Sequence, residues 1–436
     1  MRKIVLYKGL SVDCDNFTPT DYKTFYSEYT NKGKGNVGNK LFGQAVEKYI
    51  TNDYTSYTYV FYDETNFIPF ATDINIDEIN ENYDLVLMPQ ANIFCDSELH
   101  RNLLKMWTKG IKQFKIPVFV IGVGIQIANS SEISALARAI KREASEFIES
   151  VFATGGNISL RGYQTKQFFD ALGFSKVVVT GCPSMFQRGR NLHIQNQKVS
   201  ETDFKPVING NLSRFYKSKF TKIFTDYKNA VYIDQDQTAP ILYNHCFFDN
   251  LRKDRNIFDT IPYNCLKLIA ENRLFLFYDI QAIFNYLVQN SINFSYGTRI
   301  HGNIMAVLNG IPAFVHIIDS RTEELADFFC IPHSRKMYSK NIYDEYLKCD
   351  YKKFNTTFPK LFDNFEKFLL DNHIIDEKLE DFSLFDNKIS NIKWQNPQII
   401  NQNHINSLFE RIERHKIWYM TYDYLNHYSK IILSHL

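Results

Sequence analysis

Two polar turns between residues 293 and 332 carry side chains that could bind an anion and move a proton. The first turn holds Arg299 and His301, with Gly302 opening an apolar helix, and the second holds Arg321. A guanidinium can grip a phosphate or carboxylate bidentately, and an imidazole can exchange a proton near neutral pH. Three such groups in one place would repel one another without an anion, so they predict a small ligand with phosphate and carboxylate groups.

The elements around these turns are expected to bring them together. Residues 293–332 read as strand, turn, helix, Gly-Pro break, strand, turn and helix, which is typical of a parallel α/β layer. The strand predicted over residues 313–318 ends just before Arg321. Ligands of open α/β sheets lie beyond the carboxyl ends of the strands, so both turns should open onto one crevice.

A structural interpretation of the same residues stays open. A histidine in a turn is more often a hydrogen-bonded structural residue than a catalyst. The acidic side chains nearby, Asp319, Glu323 and Glu324, could neutralise the arginines in an internal network. Without an anion, such pairing would be the simplest way to accommodate the positive charge.

A glycine-rich segment near the N-terminus, which includes Gly35, Asn36 and Gly38, leads into a helix predicted over residues 41–50. The first N–H groups of a helix are unpaired and its dipole favours negative charge, so this segment could cradle an anion. A flexible loop with glycines for turns explains it equally well.

Two further features stand at predicted strand ends in the N-terminal part. The strand over residues 117–124 ends in Gly122 and Gly124, which allow close approach of a ligand or of a packed helix. Arg161 follows the strand predicted from residue 157, in the same kind of position as Arg299. A single arginine at such a place commonly forms a surface salt bridge.

Composition limits the classes of function and the number of domains. The chain has 436 residues, and its 50 basic residues against 48 acidic ones give no electrostatic case for a nucleic-acid or membrane partner. Its seven cysteines are scattered singly, so we expect reduced thiols and no metal site. No apolar run approaches the roughly 18 residues of a membrane span, and we expect a cytoplasmic protein, with association at the inner face of the membrane left open.

The pattern of strands and helices predicts three parts. Residues 1–190 should form an N-terminal Rossmann-like domain and residues 205–340 a C-terminal one, because unpatterned polar sequence separates them. Residues 341–436 should form a helical extension, with amphipathic stretches over about 361–370 and 405–436. The predicted fold class is therefore α/β.

Several short motifs resemble those of the polysaccharide pyruvyl transferase family. Its C-terminal signature is similar to the run Gly297-Thr-Arg-Ile-His-Gly302, which is followed here by Asn309-Gly-Ile-Pro312, Asp319-Ser-Arg-Thr322 and Ile331-Pro332. Earlier motifs fall in the expected order: Gly35-Asn-Val-Gly-Asn39, Ile121-Gly-Val-Gly124, Ser159-Leu-Arg161 and Gly181-Cys-Pro-Ser184. The resemblance covers residues 32–332 and is most specific in the last forty of them. The chain departs from many relatives at Asn39, where they carry an acidic residue.

The resemblance implies a GT-B-like fold, with two Rossmann-like domains facing a central cleft. It implies transfer of the pyruvyl group of phosphoenolpyruvate onto a sugar of a surface glycan, or its lipid-linked precursor, as a ketal. By the same resemblance His301 is the candidate general acid and Arg161, Arg299 and Arg321 contact the donor. Candidate backbone or acceptor contacts are Gly35, Asn36, Gly38, Gly122, Gly124 and Gly302. Phosphoenolpyruvate would be a co-substrate, and no cofactor or metal is implied.

Two other functions fit the same residues. A GT-B glycosyltransferase would use Arg299 and Arg321 to bind the diphosphate of a nucleotide sugar, and Glu323 or Glu324 to bind its ribose. A catalytically inactive assembly protein for surface polysaccharides would use none of them. Fold class does not decide among these three, because one architecture serves many chemistries.

Overall fold

The computed structural model describes most of both predicted domains and part of the C-terminal extension. The described residues are 2–8, 37–50, 53–58, 60–61, 67–68, 75–195, 198–210, 220–235, 268, 271, 273–277, 280–335 and 341–379. Gly35, Asn36 and the helix predicted over residues 405–436 therefore lie outside the described residues.

Fifteen strands occur in the described part of the chain. They are β1 (Lys3–Lys8), β2 (Asp53–Thr58), β3 (Val60–Phe61), β4 (Phe67–Ile68), β5 (Leu85–Pro89), β6 (Asn92–Phe94), β7 (Val118–Ile125), β8 (Ile158–Leu160), β9 (Val178–Val179), β10 (Pro206–Asn209), β11 (Val231–Asp234), β12 (Leu274–Leu276), β13 (Phe294–Gly297), β14 (Ala313–His316) and β15 (His333–Ser334).

Twelve α-helices accompany them within the same described residues. They are α1 (Val37–Tyr49), α2 (Ile76–Asn82), α3 (Glu98–Ile111), α4 (Ile133–Ala139), α5 (Lys141–Ala153), α6 (Tyr163–Leu172), α7 (Phe220–Asp226), α8 (Ile280–Gln289), α9 (Ile300–Leu308), α10 (Ser320–Phe328), α11 (Ile342–Lys348) and α12 (Lys352–Asp371).

Thirteen of these strands form two parallel sheets, and β3 and β4 form a separate antiparallel pair. The first has the order β2-β1-β5-β7-β8-β9, with β6 pairing beside β7, and the second has the order β12-β11-β10-β13-β14-β15. Strand β7 has the sequence typical of a central strand in a parallel sheet. All eight of its residues, Val-Phe-Val-Ile-Gly-Val-Gly-Ile, are buried, as expected when helices cover both faces of the sheet. We call each sheet with its flanking helices the first half and the second half of the molecule.

Helix α10 of the second half lies across the carboxyl ends of the first sheet. Ser320 exchanges backbone and side-chain hydrogen bonds with Ile127, which follows β7. Further along α10, the Glu324 carboxylate accepts hydrogen bonds from the Thr165 backbone N–H at 2.6 Å and from its hydroxyl at 2.9 Å. The two sheets therefore meet at the edge where ligand-binding turns were predicted.

The C-terminal helices pack on both halves. Tyr346 of α11 packs against the rings of Phe204 and Phe294 of the second half. Phe365 of α12 stacks on Phe186 with ring centroids 4.7 Å apart and meets Tyr49 of α1 edge-on, so α12 returns to the first half. Within the described residues no helix is both long and apolar enough to cross a membrane.

The predicted fold class is confirmed. The chain is an α/β protein with two parallel sheets and flanking helices, and the described part beyond residue 341 is helical. The predicted donor-side turns, which follow β13 and β14, both lie at the carboxyl edge of the second sheet.

Candidate functional site

The first predicted turn begins α9, whose first residues carry the Arg-x-His-Gly motif. Arg299 occupies the N-cap position, and its backbone N–H donates to the Asn209 Oδ1 at 2.9 Å. The guanidinium Nε donates to the Gly210 carbonyl at 3.3 Å. The Arg299 side chain is therefore directed towards the end of β10, although it lies two residues from His301.

A buried polar network fixes the start of α9. The fully buried Asn303 donates to the Arg299 carbonyl at 3.0 Å and to the Gly297 carbonyl at 3.3 Å, while its Oδ1 accepts from Ser295 at 2.9 Å. Asn209 donates to the same oxygen. The network ties α9 to β10 and β13. In the sequence it is indicated by Asn303, a polar residue inside a largely apolar helix.

His301 lies in the first turn of α9, at the junction of the two halves. Its residue is 8% exposed, and its Nε2 lies 3.7 Å from the Cys182 sulfur of the first half. On the other side it packs against Gly38 of α1, where an added Cβ would lie 2.5 Å from Nδ1. Burial, followed by the positive charges of Arg161 and Arg321, lowers the pKa of His301 to about 3, so the imidazole is neutral at pH 7.

Arg161 follows β8 and is 1% exposed. One of its Nη1 hydrogens is donated to the Asn92 side-chain oxygen, but its Nε and Nη2 meet no hydrogen-bond acceptor. Gly124 leaves room for this side chain, because an added Cβ would lie 3.2 Å from the Arg161 Cδ. Burial lowers the pKa of Arg161, and buried N–H donors without acceptors are costly unless a ligand supplies them.

Arg321 of α10 is already paired. Its Nε and Nη2 donate to the Asp319 carboxylate at 2.9 and 2.5 Å, and its Nη1 approaches the Gln126 side chain at 3.5 Å. Asp319 also caps α10 by accepting from the Thr322 N–H. The alternative of a structural network therefore holds for Arg321, whose charge is partly balanced by its own helix cap.

The other two acidic residues do not neutralise the predicted arginines by direct pairing. Glu323 binds Arg335 at 2.7 Å and accepts from Gln164 at 3.1 Å. Glu324 caps the start of α6 through Thr165, and burial raises the pKa of its carboxyl group. The contacts of Glu323 with Gln164 and of Glu324 with Thr165 join the two halves.

Two of the predicted glycines are explained by packing. An added Cβ at Gly122, whose φ is +70°, would lie 2.8 Å from Pro183 and 2.9 Å from Phe42. Gly302 leaves space for the side-chain amide of Gln235, a residue beyond β11 that is 2% exposed and whose Oε1 has no hydrogen-bond partner.

The structure thus brings Arg161, His301 and Arg321 into one cluster, with the Arg299 guanidinium turned to the neighbouring strand end. The motif spacing gave no sign of Asn92 and Asn209, and it did not show that Cys182 reaches His301. Among the described residues, no group of three His, Cys, Asp or Glu side chains is arranged to hold a metal ion. The cluster is suited to an anion, because it is cationic and buried and contains donors without acceptors.

Comparison with known proteins gives one family and a distant structural similarity. The family model described as polysaccharide pyruvyl transferase matches residues 36–320. No curated protein matches the chain. Among solved structures, S. aureus MnaA with UDP is 12% identical, with 97% of each chain covered and a TM-score of 0.38. A UDP-N-acetylglucosamine 2-epimerase is 11% identical, with 87% of this chain and 98% of that chain covered and a TM-score of 0.40.

Proposed function

This chain belongs to the polysaccharide pyruvyl transferase family, and we propose that it transfers the pyruvyl group of phosphoenolpyruvate onto a sugar of a cell-surface polysaccharide or its precursor. The product is a ketal, and phosphate is released. The observation that carries this proposal is Arg161, a buried guanidinium with two nitrogens, Nε and Nη2, whose hydrogens lack acceptors, in the same cluster as His301. Phosphoenolpyruvate carries roughly three negative charges in a compact volume, which matches such a cluster.

Donor binding would change the charge state of His301. In the free protein burial, followed by the positive charges of Arg161 and Arg321, lowers the pKa of His301 and keeps the imidazole neutral. A bound phosphate offsets those positive charges, and its own negative charge beside the ring opposes the effect of burial, so the pKa of His301 rises and the ring takes up a proton. Binding of the donor therefore also protonates His301, which is the general acid that the reaction needs.

The protonated His301 can then start the reaction as a general acid. Its proton goes to the C3 methylene of phosphoenolpyruvate, which leaves an oxocarbenium-like C2. A sugar hydroxyl attacks C2 and returns its proton to the imidazole. Phosphate then leaves C2, a second hydroxyl of the same sugar closes the ketal ring, and the proton of that hydroxyl leaves with the phosphate. Arg161 holds the donor in the orientation that exposes C2.

The glycosyltransferase alternative is less well supported by the side chains of α10. It requires Glu323 or Glu324 to bind a ribose hydroxyl pair. Glu323 is engaged by Arg335 and Gln164, and Glu324 is engaged by Thr165. A nucleotide would have to break the contacts between the two halves to reach either carboxylate.

Thermal unfolding with different donors tests the proposal. Phosphoenolpyruvate at a hundredfold excess over its dissociation constant adds about 2.7 kcal/mol to the free energy of unfolding. We expect stabilisation by phosphoenolpyruvate and none by UDP-, GDP- or CMP-sugars. Release of phosphate should then require both phosphoenolpyruvate and a glycan acceptor. Stabilisation by a nucleotide sugar alone would instead support the glycosyltransferase.

A further inference from the structure

A buried thiol of the first half contacts the candidate acid of the second half. Cys182 lies in the turn after β9 and has no exposed surface. Its sulfur is 3.7 Å from the His301 Nε2 and 3.0 Å from the Ser184 hydroxyl. The contact therefore joins two side chains that are 119 residues apart in sequence.

The turn that carries Cys182 is held firmly in place. The Tyr49 hydroxyl donates to the Pro183 carbonyl at 2.9 Å. Gly181 has a φ of +85°, and an added Cβ there would lie 2.5 Å from the Phe328 ring. The sulfur is thus a fixed point against which the imidazole can be oriented.

The other charged and titratable groups near His301 include two guanidinium groups and the carboxylates of Asp319 and Glu324, which lie on the far side of those arginines. Arg161 approaches from the end of β8 and Arg321 from α10, where Asp319 pairs with it. From α1, Gly38 packs on the ring and Tyr49 lies near Cys182. Among the described residues, the Cys182 sulfur is the polar side-chain atom within hydrogen-bonding reach of the ring.

We propose that Cys182 is a positioning residue for His301, whose sulfur holds the Nε2 side of the imidazole before and after the ring takes up a proton. This inference rests on the proposed function, since it names what orients the acid. A thiol suits the task because its S–H can donate to a neutral ring nitrogen and its sulfur can accept from a protonated one. Burial raises the pKa of Cys182, so the thiol stays neutral. A thiolate at this position would stabilise the protonated imidazole, and a neutral thiol does not.

Contact between the halves then controls the acid. Cys182 and Arg161 both belong to the first half, and they meet His301 only where the second half is in place against it. The imidazole is oriented in the arrangement in which Ser320 and Glu324 bind the first half. A donor bound to the first half alone would lack an oriented acid.

Two substitutions separate positioning from simple packing. Cys182→Ala removes the polar contact, and we expect kcat to fall about tenfold while KM for phosphoenolpyruvate stays within about twofold. Cys182→Ser keeps a hydroxyl that can donate and accept, so it should restore much of kcat and keep the parental pH profile. Cys349→Ala, at a buried thiol away from the cluster, is the matched control and should behave as the parent.

A measurement that needs no turnover completes the test. The ¹⁵N NMR signals of the His301 ring, assigned by their loss in His301→Gln, are recorded with and without phosphoenolpyruvate. We expect the Nε2 signal to shift in Cys182→Ala and to stay near its parental position in Cys182→Ser. Identical His301 signals in the parent and Cys182→Ala would overturn the positioning role.

The same experiment keeps the two proposals apart. If the parental protein transfers no pyruvyl group, the proposed function fails, while the His301 signals still decide whether Cys182 orients the ring. If transfer occurs and Cys182→Ala keeps the parental kcat and ring signals, only the role of Cys182 fails. Should Cys182→Ala not fold, Cys182→Ser decides: signals and kcat close to the parent support the role, and a loss of kcat with unchanged signals contradicts it.

Discussion

At the scale of single residues, Arg161 has the most unusual environment in the cluster. A guanidinium that is 1% exposed normally finds acceptors for its N–H groups, yet two of its donors have none. Each unsatisfied buried donor costs about 1–3 kcal/mol. A bound phosphate or carboxylate would supply both acceptors at once, so the unfavourable environment of the free side chain becomes binding free energy for the donor.

Replacing Arg161 by methionine should separate binding from stability. Loss of two charge-assisted bonds is expected to weaken phosphoenolpyruvate binding about tenfold or more. The free energy of unfolding should change by less than about 1 kcal/mol, because removing the unsatisfied donors offsets the lost bond to Asn92. Calorimetric titration and urea unfolding measure the two effects. Arg190→Met, at an exposed ion pair with Asp363, is the control and should leave binding unchanged.

His301 should make the free protein sensitive to acid. Its pKa is about 3 in the fold and 6.5 as the usual value, so the unfolded chain binds more protons between those two pH values. The contribution of neutral His301 to stability is therefore complete above pH 6.5 and is lost as the pH falls towards 3. His301→Gln should show a shallower fall in the free energy of unfolding across this window. An unchanged slope in urea titrations, with the exposed His193→Gln as control, would contradict the assigned burial.

At the scale of elements, the site lies at the N-termini of two helices, α9 and α1. Helix α9 begins with His301 in its first turn and has no side-chain cap, and α1 begins with Gly38 packed on the same ring. The positive ends of both helices therefore lie near the cluster and favour an anion there. Helix α6 differs, because the Glu324 carboxylate from the second half already occupies its start.

Asn303 should be essential for the start of α9. Asn303→Ala leaves the Ser295 hydroxyl and the Arg299 and Gly297 carbonyls without this partner in a buried site, and we expect a loss of about 2–4 kcal/mol. Asn290→Ala removes one hydrogen bond from an exposed residue to the Tyr286 carbonyl at the end of α8 and should cost less than about 0.5 kcal/mol. Equal losses in urea unfolding would show that the network does not stabilise α9.

At the scale of the whole molecule, two sheets and a returning helix create the site jointly. Arg161 and Cys182 come from the first half and His301 and Arg321 from the second, so neither half contains the cluster. Helix α12 strengthens this arrangement, since Phe365 packs on Phe186 and Tyr49 beside the turn that holds Cys182. The geometry of the acid thus depends on the packing of the complete fold.

Phe365 gives a direct test of this dependence. Phe365→Ala removes a fully buried ring and should lower the free energy of unfolding by about 3–5 kcal/mol. Leu361→Ala, at a partly buried position on the same helix, should cost less. A loss below about 1 kcal/mol for Phe365→Ala would mean that α12 contributes little to the first half.

Sequence periodicity located the strand ends, and this was sufficient to place His301 and Arg321 at one sheet edge and Arg161 at a strand end of the first domain. That the two edges face each other was implied by the family resemblance alone. Periodicity could not show that Asp319 would pair with Arg321, because the Asp-x-Arg spacing is the same whether the guanidinium pairs with the aspartate or is available to a ligand. The amphipathic spacing of residues 130–148 predicts one helix with Ser130 or Ser131 as its cap. The structure instead has a 3₁₀ turn over Ser130–Glu132, capped by the Asn129 side chain, and then α4 and α5, which are separated at Ile140. The contact of Cys182 with His301 depends on how the two halves pack together, and a local sequence pattern does not contain that information.

Calorimetric titration of phosphoenolpyruvate at pH 7, in two buffers of different ionisation enthalpy, tests the central claim most directly. If a phosphate binds at Arg161 and raises the pKa of His301, the protein takes up about one proton per donor, and His301→Gln abolishes that uptake. Binding by the parent with a buffer-dependent heat that vanishes in His301→Gln is the predicted result. Absence of phosphoenolpyruvate binding, or binding with the same heat in both buffers, would contradict the account.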